Sequence, residues 1–181
     1  MTILVFGKTG QVACELRAQA QLTALGRDEA DLRDPEACEA AIVARAPTAV
    51  INAAAYTAVD KAEEEEALAT QINGAASAAM ARACAKRDIP FVHISTDYVF
   101  DGSGEAAWEA NDRPAPLSAY GRSKLAGEEG VLAAGGRYAI LRTSWVFSSH
   151  GHNFLKSMLK LSETRHELNV VADQIGGPTH A

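Results

Sequence analysis

Thr2-Ile3-Leu4-Val5-Phe6-Gly7-Lys8-Thr9-Gly10-Gln11-Val12-Ala13 decides the fold. An apolar run of strand length ends in Gly7, and helical spacing begins at Gln11. A glycine turn between a first strand and a first helix is what a phosphate-binding loop requires. Gly7 permits the sharp turn, and Gly10 lets the backbone approach a pyrophosphate. The start of the helix supplies free N–H groups and partial positive charge. Ala13 stands where a third glycine is usual. That position needs a small residue for close helix–strand packing, and alanine is the next smallest.

Outward from this turn, strand-like and helix-like segments alternate. Further strands are expected at Leu22–Gly26, Thr48–Asn52, Phe91–Ser95, Tyr138–Arg142 and Leu168–Ala172. Helices are expected at Gln11–Ala20, from Asp34-Pro35 to about Ala46, from about Lys61 to Arg87, at Leu117–Ala134 and at His152–Thr164. Asp34 reads as an N-cap with proline at the first helical position. Such alternation predicts an α/β fold, a doubly wound parallel sheet of the Rossmann type. The acidic run Glu63–Glu66 reads as a solvated first helical turn, where negative charge complements the helix dipole.

Composition narrows the function classes. The chain has 181 residues, 48% hydrophobic and 22% charged, which suits one soluble domain. A net charge of -6 argues against a nucleic-acid partner. No apolar run approaches the roughly 20 residues that span a bilayer, and no signal peptide precedes the first strand, so a cytoplasmic protein without a membrane partner is expected. Cys14, Cys38 and Cys84 form no metal-ligand spacing and read as reduced thiols. The pair His150 and His152 reads as a solvated loop, and no metal site is predicted.

The end of the second strand bears on cofactor choice. An acid there binds a ribose 2′-hydroxyl, and an arginine accommodates a 2′-phosphate. The sequence reads Leu25-Gly26-Arg27-Asp28, so Arg27 predicts NADPH. Asp28 in a shifted turn would favour NADH instead. Asp31 and Leu32 are placed to meet an adenine. Ala53, Ala54 and Ala55 end the third strand. They leave room for a flat nucleotide, or else simply serve tight helix packing.

Tyr120-Gly121-Arg122-Ser123-Lys124 places a phenol and an ammonium four residues apart, on one helix face. A nearby ammonium lowers the pKa of a phenol, and the pair then suits proton transfer. Ser95 or Thr96, at the end of the fourth strand, supplies a hydroxyl to position a carbonyl and the tyrosine.

Six strings together resemble the extended short-chain dehydrogenase/reductases, and in particular the dTDP-4-dehydrorhamnose reductase family. They are Gly7–Val12, Asn52–Glu63 (NAAAYTAVDKAE), Ser95–Phe100 (STDYVF), Tyr120–Glu128 (YGRSKLAGE), Arg142–Phe147 (RTSWVF) and Asp173–Thr179 (DQIGGPT). The resemblance implies NADPH-dependent reduction of the 4-keto group of dTDP-4-dehydro-L-rhamnose, with NADH as an alternative cofactor. It implies Tyr120 as proton donor, Lys124 as the residue that lowers its pKa and holds the nicotinamide ribose, and Thr96 as its tuner. Thr96, Asp97 and Trp145 would contact the dTDP-sugar substrate. Gly7, Gly10, Gln11, Val12, Arg27, Asp31, Leu32 and Ala53–Ala55 would bind the cofactor. Some members bind magnesium at a dimer interface, where Glu15 would match one ligand; for residues 1–181 alone no magnesium is expected. A homodimer is implied for the whole protein.

Family members continue beyond the DQIGGPT string. Residues 1–181 are therefore expected to be one cofactor-binding domain, with most of the substrate domain absent and little turnover of their own. Two other readings stand beside this one. The first is another nucleotide-sugar reductase or epimerase. The second is a non-catalytic NADP-binding regulatory subunit, like that of methionine adenosyltransferase.

Overall fold

The computed structural model describes residues 2–181, and the apolar runs lie side by side as a parallel sheet. Its strands are β1 (Ile3–Phe6), β2 (Leu22–Leu25), β3 (Ala49–Asn52), β4 (Phe91–Thr96) and β5 (Tyr138–Thr143), in the order β2-β1-β3-β4-β5. The helices are α1 (Gln11–Gln19), α2 (Pro35–Arg45), α3 (Val59–Ala62), α4 (Glu66–Thr70), α5 (Ala76–Ala85), α6 (Ala119–Ala134) and α7 (Phe154–Ser162). The expected doubly wound sheet is present. The central strands are buried on both faces: Leu4, Val5, Phe6 and Val50 are fully enclosed, with Ile42 of α2 and Met80 of α5 in the same core. Each such side chain contributes about 1.5–3 kcal/mol by leaving water.

Strand order turns at β1. β2 lies on one side of it and β3 on the other. The carboxyl ends of β1 and β3 therefore open a crevice, the usual ligand position in such sheets. Phe6 pairs with Asn52, so Gly7 and Ala53 leave the sheet side by side. Gly7 donates to the Leu25 carbonyl at 3.0 Å, and Ala53 to that of Phe6 at 2.9 Å. Gly7 has φ +111°, and a Cβ there would stand 3.3 Å from the backbone of Ala53 and Ala54. The turn is thus glycine-dependent twice over, by conformation and by contact.

The cap predicted at Asp34 is present, and two further helices start at side-chain caps. Asp34 accepts from the Ala37 N–H, with Pro35 opening α2. Ser118 accepts from the Gly121 N–H at the start of α6, and Asn153 from the Lys156 N–H at the start of α7.

Two expectations fail. The single helix expected over 61–87 is broken after Ala62 and resumes at Glu66, with a π-helical turn at Gln71–Ala75. At the break Glu63 and Glu66 turn their side chains to α6, described below. The strand expected at Leu168–Ala172 does not form, and Val170 and Val171 are exposed. The stretch that pairs beyond β5 lies further on: Thr179 and Ser144 share a bond of 3.1 Å, and Phe147 donates to Thr179 at 3.0 Å. Apolar composition marks a strand candidate but not which stretch reaches a free edge.

Candidate active site

The crevice between β1 and β3 is the candidate cofactor site. Gly10 caps α1 with no side-chain partner for the first-turn N–H groups, and open space lies over it. Free N–H groups at the positive end of a helix, reached over a glycine, suit a pyrophosphate. Gln11 uses its side chain differently. Its amide donates to the Val146 carbonyl at 3.2 Å and accepts from Asn153 at 2.8 Å, tying α1 to the segment after β5. Asp31 is held by Arg33 at 2.6 and 2.8 Å, which keeps its carboxyl below the usual range. Leu32 is nearly buried beside it. Among the described residues Arg27 forms no ion pair, and it stands close enough to Asp31 to favour the ionised carboxylate.

The second half of the site lies where β4 meets α6. Thr96 ends β4 and caps the short turn Asp97–Val99, accepting from the Tyr98 N–H at 3.2 Å. Its hydroxyl donates to Asp97 at 3.2 Å and also lies in hydrogen-bonding reach of Tyr120. Tyr120 sits in the first turn of α6, with the Tyr98 ring edge-on at 5.6 Å. Lys124 follows one turn later and is almost wholly buried, its Nζ donating to the Ile94 carbonyl at 2.6 Å.

Burial governs both proton affinities. The Tyr120 phenol is pushed up to about 12, first by desolvation and then by Asp97 and Tyr98, against the lowering pull of Thr96. Desolvation pulls the Lys124 ammonium down to about 8, opposed by Glu128. Lys124 is not among the groups that set the proton affinity of Tyr120 here. The ammonium is turned to the β4 backbone, and burial dominates the phenol. Burial also raises the Asp97 carboxyl.

A cavity of about 770 Å³ opens beside these groups. Asp97 and Tyr98 form one wall, and Trp145, Trp108 and Ile175 face into it. Trp145 adopts φ +46°, a left-handed conformation that costs about 1–2 kcal/mol outside glycine. Bonds from Ser144 to Gly177 and Thr179 hold the strand on its N-terminal side. The structure thus brings Thr96, Asp97, Tyr120 and Lys124 to the junction of β4 and α6, and Asp97 and Trp145 line the adjoining cavity.

The profile of the family described as "RmlD substrate binding domain" matches residues 1–181. The chain belongs to this family. It is 48% identical over 185 residues to the dTDP-4-dehydrorhamnose reductase of Sinorhizobium fredii, covering all of this chain and 62% of that protein. The Escherichia coli K12 enzyme of the same name is 44% identical over 191 residues, with 63% of it covered. Among solved structures, the Bacillus anthracis dTDP-4-dehydrorhamnose reductase in complex with NADP superposes with a TM-score of 0.94 at 35% identity. That match covers 99% of this chain and 66% of the other. The chain thus spans less than two thirds of the length of these relatives.

Several groups that shape the site escaped the sequence reading. Glu63 accepts from the Ala119 N–H at 2.8 Å, capping α6 just before Tyr120. Glu66 holds Arg122 through two bonds of 2.7 and 2.9 Å, and Glu65 accepts from the Tyr56 hydroxyl at 2.8 Å. Glu63 and Glu66 thus clamp α6, and the acidic run is not a bare solvated turn. Beneath Lys124, Glu128 is buried between Arg142 at 2.6 Å and Ser95. Glu128 extends the i, i+4 face of Tyr120 and Lys124 by one more turn, and that spacing was the available signal. His93 is fully buried, bonded through Nδ1 to Asn52 at 3.3 Å, and kept neutral by burial and by Lys124.

Proposed function

We propose that residues 1–181 form the NADPH-binding and proton-donating part of a dTDP-4-dehydrorhamnose reductase. The reaction is reduction of the 4-keto group of dTDP-4-dehydro-L-rhamnose to dTDP-L-rhamnose, a step of nucleotide-sugar and surface-polysaccharide biosynthesis. One observation carries this reading: Tyr120 lies in hydrogen-bonding reach of Thr96 at the carboxyl end of β4, one helical turn from a buried Lys124, and the neighbouring Asp97 lines a cavity of about 770 Å³.

Bound NADPH would supply the hydride to the carbonyl carbon. Gly7, Gly10, Val12 and the first turn of α1 would hold its pyrophosphate, Ala53–Ala55 would give it room, and Arg27 would meet its 2′-phosphate. Tyr120 keeps its proton at neutral pH, since its phenol is raised to about 12. An alkoxide developing on the sugar is a stronger base than a phenolate, so Tyr120 protonates it as the charge appears. Thr96 orients the phenol, and Lys124 offers a donor to the nicotinamide ribose. Asp97 and Trp145 would contact the sugar across the cavity. Among the described residues no helix is long and apolar enough to cross a membrane, which agrees with a cytoplasmic enzyme. A homodimer is the assembly we expect of the whole protein.

A purely regulatory NADP-binding subunit would not need a buried, destabilising ammonium beside the tyrosine. The test is NADPH oxidation with dTDP-4-dehydro-L-rhamnose by the complete gene product, run beside NADPH binding to residues 1–181. Binding with specific turnover supports the enzyme. Binding without turnover by the complete product supports the regulatory reading.

A further inference from the structure

The end of β2 holds a carboxylate that its sequence position does not announce. Gly26 follows the strand, and the turn after it folds back: Glu29 and Ala30 both donate backbone N–H groups to the Gly26 carbonyl, at 3.1 and 3.0 Å. This fold returns the Glu29 side chain to the strand end, where its Oε2 accepts from the Gly26 N–H at 3.2 Å. Lys8, the residue after Gly7, crosses from the phosphate-binding turn to meet the same oxygen at 3.3 Å. Its Cδ passes 3.4 Å from where a Gly26 Cβ would stand, so the lysine stem lies over the strand end. Arg17 donates to the Lys8 carbonyl at 3.4 Å and holds that turn.

A dinucleotide bound over the first turn places its adenosine ribose beside the end of β2. Lys8 and Glu29 meet there as opposite charges, with the Asp28 carboxylate also at the strand end, and a ribose 2′-hydroxyl and a 2′-phosphate would use the Lys8–Glu29 pair differently. A hydroxyl donates to a carboxylate and leaves the Lys8–Glu29 pair intact. A phosphate attracts Lys8 and is repelled by Glu29, so it must draw the lysine away from the glutamate. We propose that the Lys8–Glu29 clasp, and not Arg27 alone, sets the choice between NADPH and NADH. The proposal rests on the cofactor-binding reading above. Glu29 moderates the preference for NADPH, and Lys8 supplies it once released. The ionised state of Glu29 agrees with this arrangement, since the Gly26 N–H and then Lys8 hold its carboxyl below the usual range.

The experiment is fluorescence titration of residues 1–181 with NADPH and with NADH, for the wild-type chain, Glu29→Gln and Lys8→Met. Glu29→Gln keeps an acceptor for the Gly26 N–H and removes only the charge. It should tighten NADPH by up to about fivefold and weaken NADH slightly, because the 2′-hydroxyl loses a charged acceptor, and the NADPH gain should fade at high salt because the pair is exposed. Lys8→Met should weaken NADPH and spare NADH. Equal shifts for both cofactors would mean a purely structural turn, and no shift for either would mean an irrelevant surface pair; both overturn the proposal. A wild-type chain that binds neither cofactor would remove the cofactor reading itself, and this inference with it.

Discussion

At the crevice between β1 and β3 the chain presents backbone and small residues: Gly7, Gly10 and the alanines that follow Asn52. One strand further, between β4 and α6, it presents buried polar side chains. Lys124, Glu128 and His93 are each at most 2% exposed. The difference teaches where each property comes from. Binding of a phosphate draws on N–H groups that any sequence of the right conformation provides. Proton transfer draws on specific charges held out of water, and those charges burden the fold. The first region should therefore respond to backbone changes and the second to single side-chain changes.

The largest expected effect tests the second region. Arg142→Ala leaves the Glu128 carboxylate buried without its cation and should cost about 3–5 kcal/mol in urea unfolding. Arg142→Lys should recover only part of this, because Arg142 meets Glu128 through two nitrogens and also lies over the Phe100 ring at 4.8 Å. A loss typical of an exposed pair would erase the contrast.

Next comes a stabilising change at a residue of the proposed proton-transfer site. Lys124→Met removes an ammonium that burial disfavours, with a gain on the order of 3 kcal/mol at neutral pH. The folded lysine titrates at about 8 and the unfolded one at about 10.5. Below pH 8 both states are charged, and the burden is full. Between about 8 and 10.5 the unfolded chain binds more protons, so wild-type stability from this site rises with pH. The methionine advantage should shrink across that window. Glu128 and neutral His93 are the titratable neighbours, and an advantage independent of pH would mean that Lys124 is not the cause.

A smaller effect belongs to the first region. Gly7→Ala forces a Cβ against Ala53 at a φ of +111°. It should weaken NADPH about tenfold or more while leaving the Tyr120 environment unaltered, as read by cofactor titration and by tyrosine absorbance. The smallest effect is Arg122→Ala, whose partner Glu66 is an exposed residue. The unfolding midpoint should barely move, in contrast to Arg142→Ala.

Much of this was legible in the sequence because it is local. The turn after β1, the Asp34-Pro35 cap and the face shared by Tyr120 and Lys124 follow from spacing alone. What escaped depends on tertiary contact. Glu63 looks like any acidic first-turn residue until Ala119 arrives beside it. Glu29 reaches the end of β2 only through a turn that bends back on Gly26. Leu168–Ala172 has strand composition, but Thr179 takes the position beside Ser144. For Tyr120, spacing reports that an ammonium shares its helix face, while the burial that raises its phenol comes from tertiary packing.

The division of labour between the two regions is tested most directly by Tyr120→Phe in the complete gene product. Two quantities are measured: NADPH dissociation and single-turnover NADPH oxidation with dTDP-4-dehydro-L-rhamnose. The predicted result is unchanged NADPH affinity with oxidation slowed about 100-fold or more. Undiminished oxidation, or a loss explained wholly by weaker NADPH binding, would contradict the assignment of proton donation to Tyr120.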